Sequence, residues 1–286
     1  MVQFKRSLVL STCFLSGAAS IISFVSLFTQ GWVYFDGRFS SQSDKSITTF
    51  NYGLFGGTYY QGYGALMAAD ISMTCSYSKN ACAVLCAESS DKESELLDEL
   101  YDGTLHTWNV LKCAHTRSLT ELRERETKVR MALQVFYESE DDRVFINAYA
   151  YLFTMIFLII SCLIGLICAV LSVWNTAANP VEVYFNIFGL YIYNGLAFGS
   201  LLIAVIIWGV MFCSTLADHP SFILSILGQL VADSVSLGWS YWINMISLLL
   251  YASSIGLLYL RSVLLAREPQ LKGEIEDNAP AGILLF

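Results

Sequence analysis

Four stretches of this chain carry no charged residue over lengths that could cross a bilayer, and nothing else constrains the fold as strongly. They run from Ser7 to Phe35, from Val144 to Trp174, within Val183 to Ala217, and from Ser234 to Leu260. A bilayer core takes about 20 apolar residues of helix. Backbone polar groups in hydrocarbon must be satisfied within the segment, so the stretches are read as helices. A membrane barrel would need alternating segments of about 10 residues, and the sequence has none.

The charge lies elsewhere. Only 14% of the 286 residues are charged, against about 25% in soluble domains. Segment 36–143 holds 11 of the 16 Lys+Arg and 17 of the 24 Asp+Glu. The net charge of −8 repels phosphates, which excludes a nucleic-acid partner. Near the spans, basic residues sit at both ends of the chain: Lys5 and Arg6, then Arg261, Arg267 and Lys272. Loops 175–182 and 218–233 have none. Positive charge stays inside, while long loops translocate regardless of charge, so both termini are expected in the cytoplasm.

The expected organisation is then an N-terminus 1–6, a first span 7–35 and an extracellular loop domain 36–143. A second span 144–174, a cytoplasmic loop 175–186 and a third span 187–213 follow. An extracellular loop 214–235, a fourth span 236–260 and a cytoplasmic tail 261–286 complete it. Lys5-Arg6 and the small residues Gly17 to Ser20 also fit a signal peptide. The apolar run continues past them through Val25, which favours an uncleaved helix.

Cys75, Cys82, Cys86 and Cys113 fall in the outer segment, an oxidising compartment, and are disulfide candidates. Four cysteines allow three connectivities, and the residues alone leave all of them open. No metal site is expected, because Cys82 and Cys86 lack a second matching pair. Thr48 to Tyr52 reads as a strand, with turns at Gly53, Gly56 and Gly57. Glu88 to Asp102 reads as a solvated amphipathic helix. Ser118-Leu119-Thr120-Glu121 is a capping box opening another helix. Asp218 and Pro220 open a helical pattern through Leu230, read as interfacial.

The spans contain no ionisable side chain except cysteine and tyrosine, whereas pumps and intramembrane enzymes place charged groups there. Motifs of hydrolases, zinc proteases and nucleotide-binding loops are absent. A non-enzyme without cofactor is therefore expected. Gly195 with Gly199, and Ala252 with Gly256, are small-xxx-small pairs expected to pack helices within the bundle.

The chain resembles the clarin family, four-span proteins of the broader claudin-like group. The likeness rests on Gly31-Trp32, on Asn51-Tyr52-Gly53-Leu54-Phe55-Gly56-Gly57, on Pro180-Val181-Glu182, and on Gly189-Leu190-Tyr191. The broader pattern of Trp, Gly-Leu-aromatic and a cysteine pair is met by Trp32, Leu54 with Phe55, and Cys75 with Cys82 or Cys86. The resemblance implies a plasma-membrane organiser or accessory scaffold of sensory-cell membranes, actin protrusions or synapses. It also implies a small extracellular β-sheet.

The acidic stretch after Arg267 is read as a disordered tail ending in two spaced apolar residues, Leu284 and Phe286. These are candidate ligands for a PDZ domain, which captures such ends as an added strand. The overall expectation is an all-α transmembrane four-helix bundle with a large extracellular loop domain, holding a small β-sheet and short helices. Its expected partners are membrane lipids, membrane proteins met by the outer loop, and a PDZ protein. The alternatives are a claudin-like adhesion protein or a channel or transporter subunit.

Overall fold

At Trp32 the apolar run that follows the first helix changes period, and the chain changes structure there. Val33 and Phe35 are buried while Tyr34 and Asp36 are half-exposed, an alternation that belongs to a strand. The structure, a computed structural model, describes residues 2–39, 48–63, 65–85, 90–103, 144–177, 186–219, 221 and 230–277. Its helices are α1 (Val2–Phe28), α2 (Ser90–Asp102), α3 (Ala148–Ala177), α4 (Ile187–Met211) and α5 (Trp239–Asp277). One π-helical turn, Phe212–Leu216, extends α4. Four helical stretches are long and apolar enough to cross a membrane: Ser7–Phe28, Ala148–Ala177, Ile187–Leu216 and Trp239–Arg267.

The strands are β1 (Val33–Phe39), β2 (Thr48–Tyr52), β3 (Gly56–Tyr63), β4 (Ala65–Ser76), β5 (Ala81–Leu85) and β6 (Leu230–Leu237). They form one six-stranded sheet in the order β5-β4-β3-β2-β1-β6, antiparallel throughout. Five strands make a meander from the first long segment. The sixth arrives from the segment before α5 and pairs with β1, with a bulge between Asp36 and Gly37.

Several expectations are corrected. Four helices apolar enough to span a membrane together with a small sheet domain agree with the expected architecture, and the differences lie in where its elements begin and end. The first span stops at Phe28, not Phe35, because residues from Val33 alternate and pair as β1. Leu230–Leu237 is a strand and not the end of an interfacial helix or the start of the fourth span. Its β-branched and alternating residues, Val231 and Val235 among them, pair along the open edge of β1. The helix expected around residues 222–229 lies outside the described residues. After Arg267 the chain does not leave the helix; α5 runs to Asp277. The expected helix over Glu88 to Asp102 is present as α2.

The chain divides into two compact units. One comprises Met1–Ile22, Ile160–Ser200 and Ile246–Phe286. Its core gathers Val9, Cys168, Leu190 and Leu258, with Leu171, Ile187, Tyr191 and Tyr193 packed around them. The other comprises Ser23–Ile159 and Leu201–Met245 and holds the whole sheet. Its core includes Trp32, Val33, Phe35, Phe50, Tyr52 and Leu54. There Phe35 stacks on Phe50 at 5.2 Å, and Phe50 meets Tyr59 at 4.6 Å. Leu96, Leu97 and Leu100 form the buried stripe of α2, which packs on β4 and β5.

A disulfide joins Cys75 to Cys82, directly opposite residues of β4 and β5. The two cysteines are 7 residues apart. Closing so short a loop removes about 2.5 kcal/mol of unfolded-state entropy. Replacing both cysteines by alanine should therefore lower unfolding stability by about that amount. Chemical denaturation in detergent with and without reductant is the check.

Candidate functional site

The residues of the most distinctive sequence motifs converge on one joint within the sheet unit. Trp32 is fully buried, and its indole meets Trp208 at 5.1 Å and Tyr241 at 6.4 Å, both edge-on. Its Nε1 donates to the Ser26 carbonyl at 2.7 Å. Its backbone N–H donates to Tyr52 at 3.1 Å, and its carbonyl accepts from Gly238 at 2.9 Å. One residue thus ties the end of α1 to β2 and to the start of α5. The preceding Gly31 accepts from the Ser240 N–H at 2.9 Å. A side chain at Gly31 would collide with the Trp239 ring.

The Gly53–Gly57 turn fits under the same joint. The Gly53 N–H donates to the Gly56 carbonyl at 2.8 Å, and the Met73 N–H donates to Phe55 at 3.0 Å. The Tyr151 hydroxyl of α3 donates to the Leu54 carbonyl. A Cβ at Gly53 would lie inside contact distance of the Thr29 carbonyl, and one at Gly57 inside that of Asn51. Leu54 is buried, whereas Phe55 is half-exposed and stacks on Phe28 at 5.4 Å. Phe28 in turn meets Phe24 at 5.0 Å, so three exposed phenylalanines form one continuous patch.

Buried polar side chains follow one face of α1. In the first unit, Thr12 shares a hydrogen bond with Ser172 at 2.9 Å. Ser16 donates to Asn194 Oδ1 at 2.9 Å and lies 3.2 Å from Ser254 Oγ. Asn194 Nδ2 reaches Cys168 Sγ at 2.8 Å and the Leu190 carbonyl at 3.0 Å. Ser20 donates to the Cys162 carbonyl at 2.7 Å. In the sheet unit, Asn244 Nδ2 donates to Ser26 Oγ at 2.9 Å and to the Ser240 carbonyl at 2.8 Å. Thr29 and Ser240 share a hydrogen bond at 2.7 Å. Ser23 Oγ and Trp208 Nε1 are buried without a partner.

On the sheet, Lys79 bridges Asp98 at 3.0 Å and Asp102 at 2.8 Å, tying the β4–β5 turn to α2. The Asp102 hydrogen bond is the largest influence holding the Lys79 ammonium above its ordinary value. A raised lysine keeps this tie through neutral pH and loses it only as pH rises past the lysine range. Burial pushes the Tyr52 phenol well above its ordinary range, so it stays neutral within the core. Among the described residues, no three His, Cys, Asp or Glu side chains gather in a way that could hold a metal.

The remaining expected site residues separate. Cys86, Cys113, Pro180, Glu182, Leu284 and Phe286 lie outside the described residues, as does the helix opened by Ser118. Gly189 and Leu190 are buried and Tyr191 half-buried in the first unit's core. The small-residue pairs do not behave as expected. A Cβ at Gly195, Gly199 or Gly256 would meet nothing within 4 Å, and Ala252 is exposed. The close helix approach falls instead at Gly165, whose Cβ would meet the Tyr251 hydroxyl and, at 3.1 Å, Ser20.

From the sequence, Asn194, Asn244 and the Ser and Thr residues of the spans are expected to hydrogen-bond between helices, and they do; their gathering on one face of α1 is what the structure adds. Thr12, Ser16, Ser20, Ser23 and Ser26 recur every three or four residues in an apolar run. Asn194→Ala should cost about 0.6–2 kcal/mol by opening this network. Gly195→Ala should change stability by less than about 1 kcal/mol, and in the stabilising direction. Thermal unfolding in micelles distinguishes the two variants. No protein-family model matches this chain, and no curated protein matches it.

Proposed function

We propose that this chain is a clarin-like organiser of the plasma membrane: a non-enzymatic four-span scaffold or accessory subunit. It displays its sheet outside the cell and keeps both termini in the cytoplasm. The observation that carries this reading is the joint at Trp32. The residues of the resemblance in the first half of the chain, Gly31-Trp32 and Asn51 to Gly57, fasten the sheet to helix ends and leave no reactive group exposed. Such a joint suits rigid display of a recognition surface.

The aromatic residues support membrane residence. Tyr149 and Trp174 are both exposed near opposite ends of α3, about 37 Å apart along the helix. Trp239 and Trp242 are exposed at the start of α5, and Tyr259 further along it. Amphipathic rings prefer the two membrane–water interfaces. The resemblance places the work in sensory-cell membranes, actin-based protrusions or synapses, with the tail residues Leu284 and Phe286 offered to a PDZ domain. Conduction is disfavoured because the polar side chains between the helices are largely hydrogen-bonded to one another.

Two experiments test this reading. Purified protein in planar bilayers should give no selective current, and a robust selective conductance would replace the scaffold with a channel. Proximity labelling from the tail at the native locus should return cortical cytoskeletal and membrane proteins. If cells instead aggregate through segment 36–143 and no cytoskeletal neighbour is found, adhesion is the better description.

A further inference from the structure

Arg261 is a charged side chain to which neither the joint nor the sheet gives a role. α5 passes Leu260 without a break, so Arg261 remains helical. Three residues earlier, Leu258 is buried in the core cluster of the first unit with Val9, Cys168 and Leu190. Residues three apart share a helix face. Arg261 therefore continues the core-facing side of α5, one turn beyond the last buried leucine. Tyr191, which packs against the same cluster, is near enough to interact with it electrostatically.

Among the described residues no ion pair is formed by the Arg261 guanidinium. Its Nε is sealed from solvent and has no hydrogen-bond partner. The described side chains of this unit include Arg261 and Arg267 but no carboxylate. Arginine cannot shed its charge, and it presents five donors in a planar fork. A half-buried, permanently charged fork at the end of a bundle core, with a sealed Nε–H still to be satisfied, favours an anion beside it.

We propose that Arg261 anchors a binding site for the phosphate of an anionic phospholipid headgroup. The fork matches two phosphate oxygens at once, a geometry lysine cannot reproduce. The choice of an anionic lipid rests on the cytoplasmic placement of this end of the bundle, since that leaflet carries the anionic lipids. Tyr191 of α4, which packs on the Leu258 cluster, is the described neighbour whose charge distribution Arg261 feels.

Native mass spectrometry of the full chain in detergent tests the site, with phosphatidylserine, phosphatidylcholine and inorganic phosphate as separate probes. Wild type should retain phosphatidylserine well above phosphatidylcholine at equal concentration. Arg261→Gln should lower phosphatidylserine retention about tenfold, to the phosphatidylcholine level. Arg261→Lys, which keeps the charge and loses the fork, should fall between them and carries the test if Arg261→Gln does not fold. Millimolar inorganic phosphate should not displace the lipid. Equal phosphatidylserine retention by wild type and both variants would overturn the proposal, as would no preference over phosphatidylcholine. Full displacement by inorganic phosphate would assign a free-anion site and overturn the lipid. Lipid retention in detergent depends on neither orientation nor protein partners. Its failure would leave the scaffold reading standing, and a channel or adhesion result would leave the lipid site standing.

Discussion

Trp32→Ala is expected to destabilise the protein by about 3–5 kcal/mol, the range for emptying a large aromatic site in a core. The indole is fully buried, it packs edge-on against Trp208 and Tyr241, and its N–H satisfies the Ser26 carbonyl. Truncation would open a cavity among three elements and leave a buried carbonyl without that donor. Trp32→Phe should be milder, since it keeps most of the packing and loses the hydrogen bond. Thermal unfolding in nanodiscs gives the size of the effect, and surface biotinylation gives its cellular consequence. A Trp32→Ala protein with wild-type melting and wild-type surface delivery would show that the joint does not hold the sheet.

Gly57→Ala should be nearly as damaging, for a different reason. A methyl group there would overlap the Asn51 carbonyl and the Tyr52 backbone, neither of which is a flexible side-chain end. The β2–β3 pairing places Tyr52 opposite Gly57, so relief would require pulling the strands apart. Forced overpacking costs about 1–3 kcal/mol and more where backbone must move. Gly53→Ala faces the same obstacle from the Thr29 carbonyl. Gly195→Ala and Gly199→Ala are the controls, because their added methyl groups would meet open space. The same measurement on all four should separate two sharply destabilised variants from two that are unchanged or slightly stabilised. Equal behaviour across the set would contradict the joint as described.

This contrast shows where the sequence was legible and where it was not. The four helices long and apolar enough to cross a bilayer could be read directly because hydrocarbon admits so few solutions for an uncharged run. Their boundaries were less clear, since the apolar start of β1, Val33 to Phe35, looks like more helix until its alternation is weighed. β6 was missed because its partner, β1, lies almost two hundred residues away in the chain, and local pattern cannot announce a distant edge. The glycines were misjudged for a related reason. The spacing of Gly195 and Gly199 suggests close packing, but spacing says nothing about which face of the helix meets a neighbour. Gly165, with no partner glycine four residues away, makes the close approach. The pairing of Cys75 with Cys82 also had to wait for the β4–β5 register.

The central claim, a four-span chain displaying its sheet outside and holding both ends inside, is tested most directly by epitope accessibility in intact cells. Tags are placed at Met1, at Phe286 and within segment 104–143. The internal tag should stain without permeabilisation, and both terminal tags only after it. Staining of either terminal tag in intact cells, or protection of the internal one, would contradict the account.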